Sequence, residues 1–320
     1  MTIPAGLSTG AIVAMIIGVA GTSTIHLSKG VMKLGIAGLQ RGAGPGVAVQ
    51  PGAGAGADAR YSDLSGAAKL SADNTRSADN TRSESRRLGM VIYATGIAMN
   101  FTNPLWVIAA NRFAPTVYYT SMYGLGLVAL LLFSRFKLGE EVRSRQVLGV
   151  IVIVTGTLVI GLTELGQAAP SLYAASRPRL LVVAGLWLAG TPAAALAVRG
   201  RSLPLQELVF GVAGGGMAAL EAVVKGVAQA GMVENTFLPR GPQNWLLFIV
   251  SFAGAAGAFG MIQWSFLRSC RASMMGAAYT VAYVAVPLLV VPFLLGSTMV
   301  SLWCLAGIAL LAAGAVLVAT

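Results

Sequence analysis

The chain has 320 residues, of which 56% are hydrophobic and only 10% are charged, and its mean hydropathy is +0.76. Soluble domains carry about 25% charged residues, so the composition excludes an ordinary soluble protein and predicts an integral membrane protein. The formal net charge of +11 does not indicate nucleic-acid binding, because the basic residues lie mainly in the connections between hydrophobic segments.

Nine hydrophobic segments have the length of a membrane span. A helix that rises 1.5 Å per residue needs about 20 residues to cross a hydrocarbon core of about 30 Å. We predict spans at 10–35, 88–108, 114–134, 146–163, 179–198, 205–230, 245–267, 273–295 and 299–319. An odd count, divided as four, one and four, gives the two halves opposite orientations. We therefore expect an all-α integral membrane protein with inverted 4+1+4 helix repeats, a design of secondary transporters.

The first span is separated from the other eight by an unusual segment. Residues 1–37 are predicted to hold a first transmembrane helix that is retained, because no basic region and no clear cleavage site indicate a signal peptide. Residues 38–86 are rich in Gly, Ala and Pro and repeat the hexapeptide SADNTR, which predicts a disordered cytoplasmic loop. Residues 87–320 hold the remaining spans, so one membrane domain is expected overall.

The basic residues indicate the orientation in the membrane. With the N-terminus outside, sixteen Lys and Arg residues fall in cytoplasmic connections, and four fall outside: Arg112, Arg177, Arg179 and Arg240. Because positive residues concentrate on the cytoplasmic side, we expect a multi-pass protein with its N-terminus outside and its C-terminus in the cytoplasm. The lipid bilayer is its predicted partner.

Two segments support the internal repeat. GVAGTSTIHLSKG in the first span ends in Lys29-Gly30, and GGGMAALEAVVKG in the sixth ends in Lys225-Gly226. The match is short, as expected for weak internal symmetry between repeats. It makes Lys29 and Lys225 equivalent positions of the two halves.

Ionisable residues inside a membrane are costly, so each one is a functional hypothesis. Glu221 and Lys225 lie four residues apart on one face of the sixth span. Glu221 is either a ligand for a cation or proton, with Lys225 as its competitor, or a counter-charge for a lysine that snorkels outward. Lys29 is likewise either a gating residue or a snorkelling one. Glu207, near a span end, is expected to be solvated.

Polar residues on other spans add candidates for substrate binding. His26 is either a neutral imidazole bonded to a hydroxyl or carbonyl group, or a proton-coupling residue. Asn100 and Asn103 lie near Pro104, which cannot donate to the Asn100 carbonyl and leaves it open as an oxygen ligand. The alternative is an ordinary proline kink. The remaining candidates are Tyr119 and Ser121 in the third span and Gln263 in the seventh.

Several classes of function lack their motifs. No phosphate-binding GxxxxGK[ST] loop, HExxH motif or Ser/His/Asp arrangement occurs, which excludes an ATP-driven pump and predicts no enzyme activity and no cofactor. Cys270 and Cys304 are expected to be small apolar packing residues.

The chain resembles the NIPA group of magnesium transporters within the drug/metabolite transporter superfamily. The motifs that carry the resemblance are Phe113-Ala-Pro-Thr-Val-Tyr-Tyr-Thr-Ser121, Lys137-Leu-Gly-Glu140, Gln146-Val-Leu-Gly149, Thr155-Gly-Thr157, Gly214-Gly-Gly216, Val224-Lys-Gly226 and Arg271-Ala-Ser-Met-Met-Gly-Ala-Ala-Tyr279. The resemblance implies a nine-helix fold and transport of Mg²⁺ or another divalent cation by alternating access. Glu221 is then the candidate metal ligand.

Two other functions remain open. The chain departs from the family where Pro104 replaces a glutamate and Val107 replaces an asparagine, which leaves Glu221 as the one deep carboxylate. Because magnesium sites use one or two carboxylates, the first alternative is transport of a small organic metabolite. The second is a membrane scaffold or receptor that acts through residues 38–86.

Overall fold

The computed structural model describes residues 9–42, 67–114, 116–165, 171–232, 235–297 and 301–319, and each of its elements is a helix. The helices are α1 (Thr9–Gly42), α2 (Ala67–Phe101), α3 (Asn103–Phe113), α4 (Thr116–Thr120), α5 (Tyr123–Phe136), α6 (Ser144–Leu165), α7 (Arg177–Ala197), α8 (Leu203–Gln229), α9 (Pro242–Leu267), α10 (Ala272–Leu295) and α11 (Leu302–Ala319), with a 3₁₀ turn at Leu172–Ala174.

Seven helical stretches of the described residues are long and apolar enough to cross a membrane. They are Thr9–Gln40, Tyr118–Phe136, Ser144–Thr163, Arg177–Ala197, Leu203–Gln229, Pro242–Leu267 and Ala272–Leu295, and the apolar part of α11, Leu302–Val318, is shorter. The prediction of an all-α, multi-pass membrane protein is therefore confirmed. The count of nine spans and the inverted repeats stay predictions.

Two of the predicted spans are interrupted helices. The second is broken at Thr102, between α2 and α3, and the third is broken at Ser121 and Met122, between α4 and α5. Pro104 explains the first break, because it has no N–H group for the Asn100 carbonyl. The Thr102 hydroxyl stabilises that break: it donates to the Met99 carbonyl (2.7 Å) and accepts from the Trp106 indole (3.0 Å).

The chain divides into two compact units, Val31–Ala98 and the combination of Met1–Gly30 with Met99–Thr320. In the smaller unit, the end of α1 packs closely on α2: a methyl group added at Gly38 would lie 3.0 Å from the Gly89 Cα.

The helices extend into both ends of the predicted 38–86 loop, because α1 continues to Gly42 and α2 begins at Ala67. The SADNTR repeats contain no Gly or Pro to interrupt a helix. Residues 43–66 lie outside the described residues.

In the larger unit, α8 is the central helix. Every residue from Ala213 to Gln229 is buried, and the helix packs against α7, α9 and α10. A helix that is buried on all faces belongs to the core of its protein. A charged residue in the second half of α8 therefore has protein around it rather than lipid or water.

Candidate functional site

A cavity of about 540 Å³ lies among α1, the α2–α3 break, α8, α9 and α10. Of its sixteen lining residues, four have polar side chains: Asn100, Asn103, Glu221 and Tyr279. The other twelve are apolar. Three of the predicted site residues, two from the second span and one from the sixth, thus meet at one cavity.

The Glu221–Lys225 pair lies inside the protein beside this cavity. Lys225 Nζ donates a hydrogen bond to Glu221 Oε1 and lies 4.2 Å from the centre of the Phe252 ring. Glu221 is 2% exposed and Lys225 is fully buried, so the ammonium group does not reach the surface. Glu221 and Phe252 line the cavity, whereas Lys225 does not. Among the described residues that line it, Glu221 is therefore the charged one.

The two amides that line the cavity come from the broken second span. Asn100 is the second-last residue of α2 and Asn103 is the first residue of α3, and both line the cavity. Asn103 Oδ1 accepts a hydrogen bond from the hydroxyl group of Tyr119, at 3.2 Å. Tyr119 is fully buried and does not line the cavity. Its contribution is to fix the orientation of the Asn103 amide.

Lys29 lies beside two tyrosines, and a third tyrosine packs on them. Its Nζ is 3.3 Å from the centre of the Tyr279 ring and 3.5 Å from the hydroxyl oxygen of Tyr123. The Tyr123 ring in turn stacks on Tyr283, with 4.0 Å between ring centres. Among the described residues, no carboxylate lies within 4 Å of the ammonium. Lys29 is therefore stabilised by aromatic faces, whereas its proposed equivalent, Lys225, has an acidic partner.

His26 has a hydrogen-bond partner at each ring nitrogen. Nδ1 is 2.9 Å from the Thr22 carbonyl oxygen, and Nε2 is 3.0 Å from the Thr280 hydroxyl oxygen. Because a carbonyl only accepts, Nδ1 carries a proton. The Thr280 hydroxyl also lies 2.9 Å from the Gly276 carbonyl, so its single proton serves either that carbonyl or Nε2. His26 thus connects α1 to α10 through a hydroxyl group. These contacts agree with the first alternative, an imidazole bonded to a hydroxyl or carbonyl group, and a role in proton coupling stays a prediction.

Ser121 and Gln263, like Tyr119 and His26, lie outside the cavity lining. Ser121 is fully buried at the α4–α5 break, where its hydroxyl donates to the Tyr118 carbonyl at 3.1 Å. Gln263 is half-buried on α9, next to the lining residue Ile262. Neither residue is part of the cavity lining, and a substrate-binding role for them stays a prediction.

An ionic cluster at the start of α8 and α10 was not predicted. Glu207 is 1% exposed and accepts three hydrogen bonds from Arg271: from its backbone N–H (2.7 Å), Nε (3.0 Å) and Nη2 (2.9 Å). The expectation that Glu207 is solvated is therefore wrong, because Arg271 from another helix covers it. Hydrogen bonding to Glu207 raises the pKa of the Arg271 guanidinium. The signal in the sequence that could have indicated this ion pair is an acidic residue near the start of one predicted helix and a basic residue near the start of another.

The opposite end of α8 is stabilised by amide groups. Gln229 is buried, and its Oε1 accepts a hydrogen bond from Asn111 Nδ2 at 3.2 Å. Its Nε2 donates to the carbonyl groups of Thr236 and Phe237. The two ends of the central helix are thus closed by different chemistry, an ion pair at one end and neutral amides at the other.

The described residues contain no group of three or more His, Cys, Asp or Glu side chains that is placed to hold a metal ion. Glu221 stays the predicted ligand for a transported ion, with the Asn100 and Asn103 amides as further oxygen donors at the same cavity. Compared with known proteins, the chain matches no family model, no curated protein and no solved structure.

Proposed function

We propose that the protein is a secondary transporter whose substrate occupies the cavity at Glu221. The observation that carries the proposal is that one buried carboxylate, two amides and a tyrosine meet at a single cavity in an all-α membrane protein. Intramembrane ionisable groups mark substrate or ion pathways. The resemblance to the NIPA group adds nine spans in inverted repeats, a cytoplasmic C-terminus and alternating access.

The repeat is supported by the environments of the two proposed equivalents. Lys29 and Lys225 are both fully buried, and each ammonium lies over an aromatic ring, that of Tyr279 and that of Phe252 respectively. In alternating access the two halves rock about a central site. Two buried ammonium groups at equivalent positions suit residues that close the pathway in turn.

Mg²⁺ or another divalent cation is the substrate that the resemblance favours. Hard cations prefer oxygen ligands, and Mg²⁺ keeps several waters and uses one or two carboxylates. Glu221, Asn100 and Asn103 supply such oxygens. A cation that approaches Glu221 would displace the Lys225 ammonium, which makes the pair an exchange element.

The test is Mg²⁺ flux into liposomes that contain the purified protein, with and without a proton gradient. Glu221→Gln is expected to abolish the flux, whereas Glu141→Gln, the same change at a side chain that is 84% exposed, should leave it intact. The absence of Mg²⁺ flux in the native protein would exclude the magnesium assignment.

A small organic metabolite is the second candidate substrate, and the twelve apolar lining residues favour it. Transport of an organic solute that persists in Glu221→Gln would support this alternative. A scaffold or receptor is the third candidate. Deletion of residues 43–66 should abolish the function of a scaffold, whereas a transporter would keep its flux.

A further inference from the structure

The first turn of α10 is held by two carboxylates that come from different parts of the chain. Glu207 of α8 accepts hydrogen bonds from the backbone N–H group and the guanidinium of Arg271. Glu140, in the turn between α5 and α6, accepts from the backbone N–H groups of Ala272 (2.9 Å) and Ser273 (3.2 Å) and from the Ser273 hydroxyl group (2.7 Å). Three consecutive residues of the chain are thus divided between two acids.

The Glu140 contact crosses between the proposed repeats, whereas the Glu207 contact lies within one of them. Both α8 and α10 belong to the second half, and their backbones touch: a methyl group added at Gly211 would lie 2.6 Å from the Met275 carbonyl oxygen. The turn between α5 and α6 belongs to the first half. Because alternating access moves one half against the other, the Glu140 contact has to break when this end of the protein opens, and the Glu207 contact does not.

The Glu140 contact lies on α10 between the cavity and the end that is predicted to face the cytoplasm. Ser273 precedes the lining residue Tyr279 by six residues, which is about 9 Å along the helix. A second contact joins the halves at the same level, since Gln146 Nε2 of α6 donates to Met274 Sδ at 3.3 Å. The carboxylate and this amide therefore hold the two halves together on one side of the cavity.

The opposite ends of the helices are joined across the halves by neutral groups. Asn111 Nδ2, at the end of α3 in the first half, donates to Gln229 Oε1, at the end of α8 in the second half (3.2 Å). The Asn235 amide donates to the Asn111 carbonyl oxygen at 3.1 Å. Hydrogen bonds to an ionised group are about twice as strong as those between neutral groups. The end that Glu140 holds is therefore the more firmly closed of the two.

We propose that Glu140 is a gating residue, which keeps the predicted cytoplasmic end closed until its carboxylate releases Ala272 and Ser273. The inference rests on the proposed transport by alternating access and names the contact that controls one of its steps. Loss of the carboxylate should favour the conformation in which the halves are apart at this end. A residue that only capped α10 would instead loosen that helix from all its neighbours.

Two buried positions at a similar depth of α10 distinguish a gate from a simple helix cap. Leu130 of α5 faces α10 across the halves: a methyl group added at Gly276 would lie 2.5 Å from its Cδ2. Ala278 faces α8 within the second half: a methyl group added at Gly211 would lie 2.6 Å from its Cβ. Both side chains are buried. Of the two, separation of the halves would expose Leu130 alone, whereas loosening of α10 would expose both.

Labelling of single cysteines in the full-length protein in lipid nanodiscs tests the proposal without a substrate. The background carries Cys270→Ala and Cys304→Ala, and the probe is a charged, water-soluble maleimide. Glu140→Ala should accelerate the labelling of Leu130→Cys by at least about fivefold, which is the shift that loss of a helix cap produces in an equilibrium. The labelling of Ala278→Cys should change by less than about twofold.

Glu141→Ala is the matched control, because it makes the same change one residue later at a side chain that is 84% exposed. It should leave both labelling rates unchanged. Equal acceleration of Leu130→Cys and Ala278→Cys by Glu140→Ala, or no acceleration of Leu130→Cys, would overturn the proposal.

A reversible cross-link supplies a second measurement that does not depend on a cysteine in the core. Glu140→Cys with Ser273→Cys joins the two halves, whereas Glu207→Cys with Arg271→Cys joins α8 to α10 and removes an acid and a base together. A short bifunctional methanethiosulfonate links each pair, and dithiothreitol releases it. The link between the halves should abolish Mg²⁺ flux until it is reduced, and the link within one half should leave the flux intact.

The two measurements separate the gate from the proposed transport. Mg²⁺ flux that survives the link between Glu140→Cys and Ser273→Cys would refute the gate and leave transport standing. Selective acceleration at Leu130→Cys in a protein that carries no Mg²⁺ flux would refute magnesium transport and leave the gate standing.

Discussion

The Lys29 ammonium lies 3.3 Å from the centre of the Tyr279 ring, and the two residues are on helices that are far apart in the chain. Tyr279 lines the cavity at Glu221, whereas Lys29 does not. The Tyr279 ring thus separates the buried Lys29 ammonium from the cavity that Glu221 of α8 also lines.

The different partners of the two lysines predict different costs of removing them. Lys225→Met leaves Glu221 buried without its partner, which costs about 3–5 kcal/mol of unfolding free energy. Lys29→Met leaves no unpaired acid and keeps the length of the side chain, but it removes the contact with Tyr279, so it should cost about 2 kcal/mol. Equilibrium unfolding in mixed micelles measures both values. An equal loss in the two variants would contradict the assigned contacts.

The contact of Lys29 with Tyr279 can be isolated by a double-mutant cycle. Tyr279→Leu removes the aromatic face, and a desolvated cation–π contact is worth about 2 kcal/mol. The cost of Tyr279→Leu should therefore fall by about that amount when Lys29→Met is already present. Tyr279→Phe, which keeps the ring, is the matched control and should show no such coupling. The measurement is again the free energy of unfolding.

Local patterns in the sequence were sufficient to predict the helices and one side-chain contact. Apolar runs of about 20 residues predicted the spans, and the four-residue spacing of Glu221 and Lys225 placed their side chains together. Pro104 also indicated the break in the second span. Each of these inferences depends on residues that are close in the chain.

Contacts between distant helices were not predictable in the same way. Lys29 and Tyr279 are 250 residues apart, and nothing in either segment specifies the other. Glu207 was expected to be solvated because its position near a span end says nothing about the Arg271 side chain that covers it. The cavity at Glu221 likewise depends on how α3, α8 and α9 pack, which no single segment determines.

The Glu207–Arg271 pair predicts that arginine is required at position 271. The guanidinium donates to both carboxylate oxygens, from Nε at 3.0 Å and from Nη2 at 2.9 Å. A lysine offers one point charge in place of this fork, so Arg271→Lys should lower the unfolding free energy by about 1–3 kcal/mol. Arg268→Lys is the control three residues earlier and should have little effect. Similar losses in both variants would show that the fork is not important.

Glu140 and Glu141 are adjacent acids with different environments, and they provide the last prediction. Glu140, in the turn between α5 and α6, accepts hydrogen bonds from the backbone N–H groups of Ala272 (2.9 Å) and Ser273 (3.2 Å) and from the Ser273 hydroxyl (2.7 Å). These N–H groups belong to the first turn of α10, where no helical carbonyl is available to them. Glu141 is 84% exposed and lies 3.9 Å from Arg143.

Loss of the Glu140 cap should therefore cost more than loss of its exposed neighbour. Glu140→Ala is expected to lower the unfolding free energy by about 1–2 kcal/mol, as for other helix caps. Glu141→Ala should cost less than about 1 kcal/mol, since exposed ion pairs contribute little. Glu140→Gln should lie between the two, because an amide keeps one accepting oxygen but loses the charge that favours a helix N-terminus. Hydrogen exchange in the first turn of α10 supplies the local readout: it should accelerate in Glu140→Ala and stay unchanged in Glu141→Ala, and equal exchange in the two variants would show that Glu140 does not cap this helix.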